Sequence, residues 1–133
     1  MEVVIGVKAV IVDDGKVLLM RRSDGYDYAS GWWDIPGGRT SPGEEPLEGL
    51  KREVKEETGM ELKDILRPLD ARTVFNDGNT QIVRITFLCT ADGDVNLSKE
   101  HTHFEWRDLK NLDAEFKDLH LKEVLYKLKE EQA

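Results

Sequence analysis

Three glutamates crowd into the segment REVKEETG at residues 52–59, where Glu53, Glu56 and Glu57 follow the spacing i, i+3, i+4. On a helix, at about 100° per residue, these carboxylates share one face. They repel one another at neutral pH, and the cost grows if the face is partly buried. Mg²⁺ or Mn²⁺ would offset it, because both ions prefer clustered oxygen ligands. The alternative, which the helix alone favours, is a solvated acidic face on which Arg52 pairs with Glu56.

The segment that carries these glutamates is predicted as a helix running from Pro46 to Gly59. Proline suits the first helical position, where its missing N–H needs no partner, and glycine suits the C-terminal stop. The apolar stripe predicted to pack on the core consists of Leu47, Leu50 and Val54. Gly49 falls within the carboxylate stripe. It is either a tolerated surface glycine or a position where a preceding loop or a metal approaches too closely for a Cβ atom.

Two hairpins are predicted from strand-like runs on either side of turn signals. The β-branched residues at 3–12 and the apolar run at 17–22 flank the turn DDG. The runs at 69–75 and 81–90 flank the turn NDGNT. We therefore expect much of the chain to form a sheet.

The C-terminal segment is predicted as a second, amphipathic helix. Its apolar residues recur at helical spacing, at Leu121, Val124, Leu125 and Leu128. Strands combined with amphipathic helices predict an α/β fold, in which helices pack against the faces of a mixed sheet. A chain of 133 residues is expected to form one domain, residues 1–133.

Composition and charge exclude several classes of protein. The net charge of −8 argues against binding to a nucleic-acid polymer, which requires clustered Lys and Arg. No apolar run approaches the roughly 20 residues that span a bilayer, and the N-terminus has no basic segment typical of a signal peptide. We therefore expect a cytoplasmic protein that does not associate with membranes. The single cysteine, Cys89, lies in the apolar run ITFLCT and is predicted to be a buried, inert thiol.

Nine positions over residues 38–60 follow the pattern G-x5-E-x7-R-E-U-x-E-E-x-G-U, where U is bulky and apolar. They are Gly38, Glu44, Arg52, Glu53, Val54, Glu56, Glu57, Gly59 and Met60. This segment resembles the Nudix box in full. The N-terminal hairpin, the W-x-x-P-G-G sequence at 33–38 and the E-W pair at 105–106 extend the resemblance over most of the chain. The resemblance implies a Nudix-type α/β/α sandwich. It also implies hydrolysis of a pyrophosphate bond in a nucleoside diphosphate linked to another group X, with Mg²⁺ or Mn²⁺ as cofactor.

The resemblance also implies roles for individual residues of the box. The implied metal ligands are Glu53, Glu56, Glu57 and the Gly37 carbonyl. Glu44 would lie behind these ligands or reach a metal through water, and Arg52 would orient the glutamates through charge-assisted hydrogen bonds. These roles agree with the shared helical face of the carboxylates.

A general base is expected among three glutamates, because relatives differ in whether a box residue or a later loop supplies it. We rank Glu53 first, Glu100 of the polar loop NLSKEHTH second, and Glu105 third. Glu105 precedes Trp106 at a position similar to an additional metal ligand in some relatives. It is therefore also a candidate ligand.

The candidate substrate contacts are the arginines Arg22 and Arg39 and the aromatic residues Tyr26, Tyr28 and Trp32. For each arginine the alternative is a surface ion pair, and for the aromatics it is a partner interface. Adjacent Arg21 and Arg22 point to opposite faces of a strand, so only one can reach the substrate. Trp33 is expected to pack in the core. His101 and His103 are expected to be solvated loop residues.

The leading hypothesis is a metal-dependent hydrolase that converts nucleoside triphosphates, including oxidised ones, to monophosphate and pyrophosphate. An ADP-ribose or dinucleoside polyphosphate hydrolase is the alternative within this class. From another class, the alternative is a non-catalytic Nudix-like module that senses a nucleotide, which loss of box carboxylates would favour; none is lost. The expected partner is a small nucleotide, and the expected assembly is a monomer or homodimer.

Overall fold

The computed structural model describes residues 1–23, 31–112 and 115–132. Within these ranges the chain forms seven strands and two helices. The elements are β1 (Glu2–Asp13), β2 (Lys16–Arg22), β3 (Trp33–Asp34), β4 (Gly37–Arg39), α1 (Pro46–Thr58), β5 (Glu61–Asn76), β6 (Thr80–Asp92), β7 (His101–Asp108) and α2 (Leu119–Glu131). No helix in this part of the chain is long and apolar enough to span a bilayer.

Strand β1 joins the two halves of a mixed sheet. It runs parallel to β6 over a ladder from Glu2–Thr80 to Ile11–Cys89, and antiparallel to the short β4. Its last residues pair with β2, which in turn pairs antiparallel with β3 and β7. The β5–β6 hairpin completes the sheet. Both predicted hairpins are confirmed.

The two helices cover opposite faces of the sheet, because residues of β1 and β2 alternate between two cores. Val10, Val17 and Leu19 pack with the buried side chains of α2. Val7, Ala9, Ile11, Leu18 and Met20 pack with those of α1. The predicted α/β sandwich, with a mixed sheet flanked by helices, is therefore confirmed.

Helix α1 has the predicted ends. Pro46 occupies its first turn, and Gly59 terminates it in the left-handed conformation (φ +75°), with its N–H donating to the Lys55 carbonyl. Leu50 and Val54 are completely buried, but Leu47 in the first turn is 42% exposed. The prediction for Leu47 was wrong, since the stripe enters the core only from Leu50 onward.

Candidate functional site

The carboxylates of α1 share one face but differ in depth. Glu57 is only 4% exposed, and its Oε2 accepts a 2.7 Å hydrogen bond from the Gly37 N–H. Glu53 lies at intermediate depth, and the Glu56 side chain is 58% exposed. The helix face is therefore not a purely solvated acidic face, because Glu57 is buried against strand β4.

Arg52 holds the acidic residues around it in place. Its Nε and Nη2 donate to both carboxylate oxygens of Glu44, at 2.8 and 3.1 Å. Its Nη1 donates to Glu53 at 3.1 Å and to Glu56 at 3.2 Å. The hydrogen bonds from Arg52, with one from the Ser41 N–H, lower the pKa of Glu44 to about 2. Glu44 therefore lies behind the helix carboxylates as the partner of Arg52, as the box resemblance implies.

Three glycines allow the backbone and carboxylates to approach closely. Gly37 has φ +141°, and a Cβ there would lie 2.0 Å from the Val7 carbonyl oxygen. A Cβ on Gly38 would lie 2.9 Å from the Glu53 carboxylate. A Cβ on Gly49 would lie 2.9 Å from Glu44 Oε1, so this mid-helix glycine accommodates the preceding loop. The functional interpretation of Gly49 is therefore favoured over that of a tolerated surface glycine.

A buried polar network adjoins Glu57, and sequence analysis missed most of it. Asp34 accepts from Lys8 Nζ at 3.0 Å and lies 3.2 Å from His101 Nε2. Arg22 Nη1 lies 3.5 Å from the same carboxylate. Burial alone would raise the pKa of Asp34, but Lys8 and His101 hold it well below its ordinary value. The available signals were a lysine within an apolar strand and an aspartate within WWDIP.

His101 differs from its prediction. It begins β7 and is only 4% exposed, so it is not a solvated loop residue. Arg22 and His101 are register partners, and so are Arg21 and His103. His101 contacts Asp34, whereas His103 lies beside Trp33, with ring centroids 6.2 Å apart. The two histidines therefore lie on different sides of the sheet.

The innermost carboxylate meets two residues from β7 and the loop before it. Ligand atoms of Glu57, Glu100 and His101 all lie within 4.8 Å of one another. Burial raises the pKa of Glu57 to about 8, against the lowering effects of Lys8 and the Gly37 N–H. Burial also raises the pKa of Glu53, opposed by Arg52. Oxygen donors that are desolvated and close together fit a divalent cation, which supplies the missing positive charge.

Glu105 is not brought to this cluster. Both its carboxylate oxygens accept from Arg107, at 2.8 Å each. It stands opposite Leu19 in the β2–β7 ladder, and Leu19 packs in the α2-side core. Because residues paired across a ladder share a face, Glu105 points away from α1. We therefore remove it from the candidate ligands and bases.

A cleft of about 620 Å³ adjoins the cluster and shares strand β4 with it. Its lining includes the predicted contacts Trp32 and Arg39, together with Lys8, Phe75, Arg84, Asp118 and His120. Arg84 donates to Asp118 at 3.0 Å at the start of α2. Arg22 is instead directed toward Asp34. Tyr26 and Tyr28 lie outside the described residues.

Comparisons with known proteins show which family this chain resembles. The family model described as NUDIX domain matches residues 3–128. A MutT-like protein from Streptomyces ambofaciens is 35% identical over 99 residues, covering 73% of this chain and 58% of that protein. The nucleoside triphosphatase NudI from an Escherichia coli strain is 32% identical over 134 residues, covering 87% of this chain and 94% of that protein.

Solved structures share the fold as well. The crystal structure of a MutT protein from Methanosarcina mazei Go1 is 31% identical, with a TM-score of 0.81, and the match covers 98% of this chain and 96% of that one. The matched region contains the whole site, from Lys8 on β1 to His101 on β7. This chain therefore belongs to the Nudix family of hydrolases, whose members act on nucleoside diphosphate derivatives.

Proposed function

We propose that this protein is a Mg²⁺- or Mn²⁺-dependent hydrolase that converts nucleoside triphosphates, including oxidised ones, to nucleoside monophosphate and pyrophosphate. The observation that carries the proposal is that strand β4 contacts both the carboxylate cluster and the cleft. The Gly37 N–H donates to Glu57 and Gly38 lies against Glu53, while Gly38 and Arg39 also line the cleft. A nucleotide in the cleft would thus present its phosphates to the carboxylates.

The chain's own residues would hold the cations at this junction and keep the ligands oriented. Glu53, Glu57 and Glu100 would hold divalent cations, and the more exposed Glu56 would be a further ligand. When bound, such ions neutralise phosphate oxygens and lower the pKa of a coordinated water. Arg52 would keep Glu53 and Glu56 oriented through its hydrogen bonds.

A base is needed to take the proton of the attacking water. Glu53 remains the first candidate, since it is a partly buried carboxylate whose pKa is raised and which lies directly under Gly38. Glu100 is the second candidate, and it lies close enough to Glu53 for their charges to interact. Because Glu105 faces the other side of the sheet, only these two of the three predicted bases remain.

The nucleoside would occupy the cleft between the sheet and the start of α2. Trp32 and Phe75 supply aromatic surface, and Phe75 is 47% exposed. Arg39 directly follows the double glycine, where a phosphate chain would pass. The similarity to a nucleoside triphosphatase over 94% of that protein's length supports triphosphates over the alternatives. A cytoplasmic monomer or homodimer acting on small nucleotides remains our prediction for its setting.

Turnover of a substrate panel tests the proposal. The panel contains nucleoside triphosphates, oxidised nucleotides, ADP-ribose, nucleotide sugars and dinucleoside polyphosphates, each assayed with Mg²⁺, Mn²⁺ or EDTA. We expect metal-dependent release of monophosphate and pyrophosphate from a triphosphate. Release of orthophosphate alone would contradict the assigned bond cleavage. Tight nucleotide binding without turnover of any compound would favour the sensor module.

A further inference from the structure

The His101 ring has one nitrogen without a partner. Its side chain is fully buried, and Nδ1 makes no hydrogen bond within the described residues. A buried polar atom without a partner carries a cost of about 1–3 kcal/mol, so such atoms are rare in folded proteins. Nδ1 is therefore available to a bound ion or water.

The other ring nitrogen, Nε2, contacts the carboxylate of Asp34. Nε2 lies 3.2 Å from Asp34, and Asp34 is ion-paired with Lys8 at 3.0 Å. An ionised carboxylate accepts from an Nε2–H, which leaves the lone pair of a neutral imidazole on Nδ1. A histidine that binds a metal almost always donates its second N–H to a carboxylate or carbonyl in this way.

The ring also lies beside two oxygen donors. A ring nitrogen of His101 and carboxylate oxygens of Glu57 and Glu100 lie within 4.8 Å of one another. Metal–ligand distances of about 2.0–2.3 Å place two ligands of one ion up to roughly 4.5 Å apart. Three donors at this separation can surround a single cation after small side-chain adjustments.

We propose that Nδ1 of His101 is a nitrogen ligand of a divalent cation shared with Glu57 and Glu100, and that this ligand makes the site prefer Mn²⁺ to Mg²⁺. The proposal rests on the function proposed above, which requires a cation at the helix carboxylates. Imidazole binds first-row transition ions well, whereas Mg²⁺ demands oxygen ligands and retains its waters. Asp34 and Lys8 thereby become positioning residues for the ring.

Pulsed electron paramagnetic resonance of bound Mn²⁺ tests the inference without relying on turnover. The full-length protein is loaded with Mn²⁺, and electron spin-echo modulation is recorded for samples containing ¹⁴N-histidine or ¹⁵N-histidine. We expect imidazole modulation that changes with the isotope. It should disappear in His101→Gln and persist in His103→Gln, the matched control on the opposite face of β7.

Metal affinities provide a second readout. His101→Gln should weaken Mn²⁺ binding by about tenfold or more and Mg²⁺ binding less, while His103→Gln changes neither. Tightly bound Mn²⁺ without nitrogen modulation in the wild-type protein would overturn the role of His101 and leave the proposed function standing. Absence of Mn²⁺ and Mg²⁺ binding in the wild-type protein would overturn both. If His101→Gln fails to fold, absence of modulation in the unsubstituted chain still overturns the proposal, and modulation that persists in both His103→Gln and His120→Gln assigns the nitrogen to His101.

Discussion

Glu57 is a carboxylate held within the fold at an energetic cost. Only 4% of the residue is exposed, and the Gly37 N–H is its close hydrogen-bond donor at 2.7 Å. Burial raises the pKa of Glu57 to about 8, although the nearby positive charge of Lys8 lowers it. A charge in such a place requires a compensating cation, so replacing the charge should separate catalysis from folding.

The substitution Glu57→Gln is expected to reduce turnover about 100-fold or more, because it removes a cation ligand worth several kcal/mol to the transition state. The metal-free variant should melt no lower than the wild-type protein, since at neutral pH the wild-type protein must take up a proton at Glu57 or bury its charge on folding, and a neutral amide requires neither. Steady-state kinetics and thermal unfolding in EDTA measure the two effects. Glu48→Gln is the control, because Glu48 lies on the same helix, largely exposed and paired only weakly with Lys51. Equal turnover of the two variants would remove Glu57 from the site.

Residues that are brought together by local spacing could be predicted from the sequence. The face shared by Glu53, Glu56 and Glu57 follows from helical periodicity within one segment, as does the i, i+4 pair of Arg52 with Glu56. The orienting role of Arg52 was implied by the resemblance to the Nudix box. The pairing of Lys8 with Asp34 joins strands β1 and β3, and His101 comes from β7. No periodicity within a segment encodes such contacts between distant segments, so these residues were missed or misplaced.

At the scale of elements, the site depends on how closely β4 packs against α1. Gly38 faces Glu53 at a separation that leaves no room for a methyl group. Gly6, on the neighbouring strand β1, pairs with Arg39, and a Cβ there would meet no atom closer than 3.9 Å. The two glycines thus offer a matched comparison within one small region of sheet.

Gly38→Ala should lower kcat/KM by about tenfold or more, because the Glu53 carboxylate must shift and small misplacements of catalytic groups are costly. Its stability should change by no more than about 1 kcal/mol, since the clashing atoms end a flexible side chain. Kinetics and urea denaturation give both values. Gly6→Ala should retain activity. The interpretation would be contradicted if both alanine variants lost activity equally.

The adjacent tryptophans of the 31–34 segment are expected to have different roles. Trp33 is 7% exposed in the α2-side core, with the Arg21 guanidinium 4.3 Å from its ring centroid, whereas Trp32 lines the cleft. Trp33→Ala should therefore cost about 3–5 kcal/mol of unfolding free energy. Trp32→Ala should mainly raise KM. Urea denaturation and kinetics on both variants check this, and the reverse pattern would show that their roles are exchanged.

Element boundaries were predictable where end signals are strong. Pro46 and Gly59 bound α1 as expected, because both act through their own backbone geometry. Strand β5 is longer than the predicted run at 69–75 and begins at Glu61. Register shifts on both sides of Pro68 interrupt its alternation of apolar and polar residues, and this hides the first half of the strand from sequence analysis.

At the scale of the whole molecule, the net charge of −8 includes the inward-facing carboxylates of the site. Cations that bind only the folded state stabilise it by mass action. At about one hundred times its dissociation constant, a bound cation contributes roughly 2.7 kcal/mol. The melting temperature should therefore report occupancy of the site.

We expect Mn²⁺ or Mg²⁺ to raise Tm by several degrees and EDTA to reverse the rise, since the proposed ligands come together only in the folded state. Differential scanning calorimetry at matched ionic strength separates this effect from general screening. Glu57→Gln should lose most of the shift, and Glu48→Gln should keep it. A rise of the same size in both variants would indicate nonspecific binding to the acidic surface.

The parallel pairing of β1 with β6 also governs how the chain folds. Residues 2–11 of β1 each pair with a residue of β6 that lies 78 positions further along the chain, so the sheet has high contact order and should form in milliseconds to seconds. During synthesis, Lys8 leaves the ribosome long before Asp34 and His101 can join it. We therefore expect metal affinity to appear during refolding only after β7 has paired with β2, so the onset of metal binding would report a late folding step.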